Sequence, residues 1–139
     1  MSGKKITELA VGDSDYVEKT ISESDVYLYA GVTGDANPAH TNDVEAKKGI
    51  FKGRVAHGML SAGLISAALG MRLPGPGAIY LGQELRFTKP VRFGDTIRAT
   101  VTVTEVKTER NMCKLSTICT NQDGETVIEG IATMMPTKI

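Results

Sequence analysis

The chain of 139 residues has the length of one domain, with a core large enough to fold without metal or disulfide staples. Its 16 Lys+Arg against 16 Asp+Glu leave a formal net charge of zero, which excludes the basic excess of a nucleic-acid binder. No apolar run reaches the ~18 residues of a membrane span, and residues 1–8 lack the apolar stretch of a signal peptide, so a soluble, cytoplasmic single domain over residues 1–139 is expected.

A short strand is expected over residues 15–21. Ser22-Glu23-Ser24-Asp25 then has the form of a helix start, with Ser22 as N-cap and Asp25 in the capping-box position. Val26, Tyr29, Ala30 and Thr33 follow at helical spacing, and Gly34 stops the helix. After an irregular stretch, Asn42 or Asp43 caps a short helix ending near Gly49. Residues 57–71 carry no charge and are apolar or small on every side, the pattern of a helix that is buried all round. At 1.5 Å per residue it spans about 22 Å, too short for a bilayer.

Leu73-Pro74-Gly75-Pro76-Gly77 punctuates the chain, and strands follow. Ile79, Leu81, Gln83, Leu85 and Phe87 alternate with polar or small residues. After a break at 90–95, Ile97, Ala99, Val101 and Val103 alternate with Arg98, Thr100, Thr102 and Thr104. Cys113, Leu115, Thr117 and Cys119 mark a third strand, Asn121-Gln122-Asp123-Gly124 a turn, and residues 126–135 a fourth strand. Cys113 and Cys119 lie on one face of their strand, roughly 20 Å apart, too far for a disulfide. The two cysteines and two histidines show no zinc-type spacing. An antiparallel meander needs one face covered, and the uncharged helix is the cover. The expected fold is α+β: a curved antiparallel sheet around a central buried helix.

Chemistry concentrates in residues 30–40. Asp35 and His40 stand five apart across Asn37-Pro38, a dipeptide that turns the chain and lets the two side chains converge. A carboxylate beside an imidazole can hold a water and manage its two protons.

Gly34-Asp35-Ala36-Asn37-Pro38-Ala39-His40, followed by Ala56-His57-Gly58-Met59-Leu60, resembles the signature of the R-specific enoyl-CoA hydratases of the MaoC-like, hot-dog-fold family. Residues 77–83 and 87–95 are similar to the same family, so the likeness runs from about Ser22 to the last strand. The resemblance implies Asp35 and His40 as catalytic dyad and the N–H of Gly58 as oxyanion donor. That donor suits a glycine at a helix start, where backbone N–H groups are free. The resemblance further implies Ser66 as a residue supporting the Asp35 loop, and Leu69, three positions on, as one facing the acyl chain of a short enoyl group; a Ser66 hydroxyl bonded to its own helix and plain core packing of Leu69 are the readings that stand equally beside these. Asn37 is expected to order the loop, and His57 to be a structural ring at the helix start. Ala39 departs from the family, which more often carries a larger aliphatic residue there.

The implied reaction is reversible hydration of trans-2-enoyl-CoA to the (R)-3-hydroxyacyl-CoA, with no metal or organic cofactor beyond the coenzyme A of the substrate. A hot-dog thioesterase and a non-catalytic acyl-CoA-binding protein are the alternatives. A carboxylate on the helix would favour the thioesterase and loss of the dyad the binder; neither holds. The resemblance implies a homodimer with sheets made continuous and the site near the interface. Lys52, Arg54, Lys89 and Arg92 are candidates for the CoA phosphates, though an uncharged surface with no cation cluster favours ordinary solvated side chains.

Overall fold

The computed structural model describes residues 2–139. Strand β1 (Ser14–Thr20) leads into helix α1 (Glu23–Thr33). Two single-turn helices, α2 (Pro38–Thr41) and α3 (Asp43–Ala46), precede the long helix α4 (Gly58–Met71). Strands β2 (Ile79–Phe87), β3 (Thr96–Lys107), β4 (Met112–Thr120) and β5 (Thr126–Met135) complete the chain. The strands form one antiparallel sheet in the order β1-β3-β4-β5-β2, leaving β1 and β2 as open edges. The last three strands are a meander, because short turns join antiparallel neighbours directly.

The period-two reading holds along β3 and β4. Ile97, Ala99, Val101 and Val103, with Cys113, Leu115, Thr117 and Cys119, all point inward and are buried. Ile128, Ala132 and Met134 of β5 join them. Both cysteines are free, and burial pushes the Cys113 thiol up to about 11 and the Cys119 thiol to about 12. Three register shifts, between Tyr80 and Gly82 in β2, between Val103 and Glu105 in β3, and opposite Cys119 and Thr120 at the start of β5, break the alternation and sharpen the curl of the sheet.

Helix α4 lies in the concave face, but within one chain it is not wrapped. Ser61, Ala62, Ile65, Ala68 and Leu69 are buried against the sheet, whereas Met59, Gly63, Ser66 and Gly70 form an exposed stripe. Five strands do not close around the helix, and its outer stripe is as small and apolar as its inner one. Nothing in composition separates the two faces. Among the described residues no helix is long and apolar enough to cross a membrane.

Helix α1 begins as expected. Ser22 Oγ accepts the Asp25 N–H at 3.1 Å and Asp25 accepts the Ser22 N–H at 2.9 Å, a reciprocal capping box. Gly34 ends it in the left-handed conformation (φ 81°), where a side chain would be strained. The Ser22 N–H, aided by Lys19 at 3.0 Å, holds the Asp25 carboxyl below its ordinary range. A depressed carboxyl stabilises the fold at pH above its unfolded value and loses that contribution as pH falls through the folded one. Asp25→Ala is therefore expected to cost about 1 kcal/mol near pH 7, shrinking as pH falls through the lowered folded-state range of the carboxyl, as read from denaturant midpoints across pH.

Candidate active site

The loop after α1 is held from both ends. The Asp35 N–H donates to Thr33 Oγ1 at 3.1 Å, and Asp35 Oδ1 accepts the Asn37 N–H at 3.2 Å. Asn37 then caps α2, its side-chain oxygen accepting the Ala39 N–H at 3.0 Å, with Pro38 in the first helical position. The sequence predicts irregular chain where this turn of helix stands, because Asn-Pro signals a bend as strongly as it signals a helix start. It carries His40, whose Nδ1–H donates to the Val55 carbonyl at 2.6 Å, while the Val55 N–H donates to Ala39 O at 3.1 Å. A carbonyl can only accept, so Nδ1 bears the proton and Nε2 of the neutral ring presents its lone pair. Asn42, the expected cap of the next helix, accepts the Glu45 N–H at 3.1 Å and starts α3.

The two histidines meet face to face, ring centroids 3.9 Å apart at 32°. His57 is 2% exposed and donates its Nε2–H to the Asp35 carbonyl oxygen at 2.8 Å. One atom each from Asp35, His40 and His57 lies within 4.8 Å of the others. No direct hydrogen bond joins the Asp35 and His40 side chains, and a separation of at most 4.8 Å is one that a single water can bridge. With Nε2 of His57 and Nδ1 of His40 already donating and Asp35 Oδ1 accepting from Asn37, Asp35 Oδ2, His40 Nε2 and His57 Nδ1 are left without a hydrogen bond among the described residues.

His57 is also the N-cap of α4, and Gly58 its first residue. Among the described residues the N–H groups of Gly58 and Met59 have no acceptor, so the positive end of the helix faces open space. A side chain at Gly58 would come within 2.7 Å of the Phe87 ring, so glycine leaves both the ring and a ligand room to approach. Beside it lies an apolar cavity of about 400 Å³, with His40 and Gly58 in one wall. Ser61, Val127 and Ile128, each at most 1% exposed, close its inner end, whereas Phe51, Met59 and Phe87 flank the mouth at 39%, 53% and 51% exposed. The wall from β5 was not foreseen. Val127 and Ile128 are consecutive buried residues just past the register shift between Cys119 and Thr120, where alternation fails as a guide.

Two expected site residues lie elsewhere. Ser66 is on the exposed stripe of α4 and makes no hydrogen bond to the Asp35 loop within the chain, since the loop packs at the helix start, two turns away. Leu69 is 0% exposed in the core and takes no part in lining the cavity. Three positions apart on a helix, the two nevertheless fall on opposite sides of the boundary between core and surface. Of the four cations, Arg54 is committed to Glu23 at 2.7 Å and Asp43 at 2.6 Å and lies over the Phe93 ring. That guanidinium holds the Glu23 carboxyl below the usual range. Lys89 pairs with Glu125, and Arg92 donates to the Phe51 carbonyl. Lys52 alone of the four has neither an ion pair nor a side-chain hydrogen bond among the described residues.

A curled antiparallel sheet holding one long helix, with a carboxylate, two imidazoles and an apolar cavity at the helix start, defines a hot-dog fold. The MaoC like domain matches residues 11–124, and the chain belongs to that family. It is 56% identical to an (R)-specific enoyl-CoA hydratase of Rhodospirillum rubrum, over 92% of this chain and 88% of that one. It is 46% identical to a 3-hydroxybutyryl-CoA dehydratase of Methylorubrum extorquens, over 90% of this chain and 79% of that one. The fold superposes on an unliganded R-hydratase of Pseudomonas aeruginosa with a TM-score of 0.92 and 43% identity, covering 99% of this chain and 88% of that one.

Proposed function

We propose that the chain adds water reversibly across the double bond of short-chain trans-2-enoyl-CoA, giving (R)-3-hydroxyacyl-CoA. It is a hydro-lyase, as are the hydratase and dehydratase to which it is similar. The observation that carries the reading is the Asp35 carboxylate and a His40 nitrogen within 4.8 Å of each other, near enough for one water to bond to both, beside the free N–H groups that start α4.

In this account a water between Asp35 and His40 forms its bond to C3, and one of the pair takes its proton. The electron pair of the double bond moves onto the thioester oxygen, where the Gly58 N–H and the helix dipole stabilise it. It then returns to C2, which accepts a proton from the other member of the pair, the one that enters the step protonated; the proton taken from the water then passes across to it and restores the pair. A fixed donor at that oxygen is commonly worth ~3–4 kcal/mol in the barrier. The thioester itself acidifies C2, so the reading includes no metal or organic cofactor. A closed inner end and a volume of about 400 Å³ support a short acyl group; Leu69 no longer does. A thioesterase would release free CoA, and α4 carries no carboxylate to direct water at a carbonyl. Crotonyl-CoA is expected to lose its conjugated absorbance without release of free thiol; thiol release as the main outcome selects the thioesterase.

Gly58→Ala tests the carbonyl site. The added methyl would overlap the Phe87 ring and displace it, while the helix itself gains propensity. A fall in kcat/KM of at least about tenfold, with Tm unchanged or higher, is expected.

A cytoplasmic homodimer is part of the same proposal. The open edge β2 exposes Ile79, Tyr80, Leu81 and Phe87, and the neighbouring stripe of α4 exposes Met59. A second copy pairing edge to edge would continue the sheet and cover both, and would bury Ser66 at the interface.

A further inference from the structure

We propose, resting on the dyad reading above, that His57 is a positioning residue of the reaction, fixing Asp35 through its Nε2–H and supporting His40 with its ring face. The first observation is where its hydrogen bond goes. A buried ring at a helix start would ordinarily cap that helix, yet His57 makes no side-chain cap bond. Its one donor reaches 22 residues back to the Asp35 carbonyl at 2.8 Å, with the Asp35 carboxylate 3.9 Å from the same nitrogen. The main chain of Asp35 is thereby tied to the first residue before the oxyanion donor, so the carboxylate and the Gly58 N–H share one rigid support.

The second observation is the nitrogen left over. His57 Nδ1 is buried and has no partner. Buried polar atoms are normally satisfied, and leaving one bare is unfavourable. An apolar ring would fill the space without that loss, so packing alone does not account for a histidine here. The third is the stack. The His57 ring lies between Tyr29, at a centroid distance of 4.5 Å, and His40, at 3.9 Å. Whether His40 is acid or base, it is an imidazolium for part of each turnover. A neutral ring face at that distance stabilises the charge and limits rotation of the His40 ring. With Nε2 committed to the Asp35 carbonyl and Nδ1 without a partner, the His57 ring offers His40 its face.

The test has two parts. In the wild-type protein, side-chain nitrogen NMR is expected to show His57 as the Nε2–H tautomer and His40, in its neutral form, as the Nδ1–H tautomer. This measurement needs no substrate, so it stands or falls separately from the dyad, and it applies even if a variant does not fold. His57 found protonated at Nδ1 overturns the proposal. In turnover, His57→Gln keeps an N–H at the Nε2 position without a ring face, and His57→Phe keeps the face without the N–H. Each is expected to lower kcat about tenfold, and His57→Leu, which keeps neither, about a hundredfold, all with KM within about threefold of wild type. A purely structural ring gives the opposite result: His57→Leu with kcat near wild type, or losses that fall on KM, overturn the assignment.

Discussion

Asp35→Asn and His40→Gln are each expected to lower kcat for hydration of crotonyl-CoA by about 10³-fold, as for loss of a general acid or base. The double variant is expected to be little worse than either single one, because both residues act on one water. Fold is spared in the first case. Asp35 is half exposed, and Asn retains an oxygen that can accept the Asn37 N–H. His40→Gln gives up the bond to the Val55 carbonyl, a cost of about 1 kcal/mol that Tm registers. Near-wild-type turnover in either variant contradicts the pairing, as does a double variant showing the product of two independent losses.

The second large effect is on stability. Gly130 sits in the middle of β5, opposite Thr117 of β4 and Leu85 of β2. The Gln83 side chain lies close to it, donating to the buried Thr117 hydroxyl at 2.9 Å and to the Glu84 carbonyl at 2.7 Å, and accepting from Tyr80. A Cβ at position 130 would overlap the Glu84 oxygen and stand 2.9 Å from Gln83 Nε2. The obstacle is backbone, which cannot swing aside as the Phe87 ring can. Gly130→Ala is expected to cost about 3 kcal/mol or more, lowering Tm by roughly 10 °C. A shift under about 2 °C would mean that β2 is free to move away from β5.

How much of this was legible in the sequence depends on whether a feature is local. The β3 and β4 faces were readable because Ile97 to Val103 and Cys113 to Cys119 alternate without interruption and both sets are buried. The capping box at Ser22 and Asp25 and the stop at Gly34 were readable because each is made by residues within a few positions of one another. The side-chain partners of the site were not. Nothing local says that His57 reaches Asp35, or that His40 reaches Val55, since both bonds depend on how the loop folds over the helix start.

The errors on α4 have one cause. Its outer stripe of Met59, Gly63, Ser66 and Gly70 is as uncharged as the inner one, so its burial was read as uniform. With the faces undistinguished, Ser66 and Leu69 were placed on a common functional face, where one is exposed and the other is core. Arg54, expected as an ordinary solvated side chain, is instead largely covered and ion-paired. Arg54 is answered by Glu23 and Asp43, which lie 31 and 11 residues before it in the chain.

The most direct test of the central claim is the configuration of the product. Purified protein is incubated with crotonyl-CoA until the conjugated absorbance reaches its plateau, and the 3-hydroxybutyryl group is then resolved by chiral chromatography. Water and proton delivered from the Asp35–His40 side predict the (R) enantiomer, with the same enzyme restoring absorbance from (R)-3-hydroxybutyryl-CoA. An (S) product, or crotonyl-CoA left unchanged by folded protein, would contradict the account.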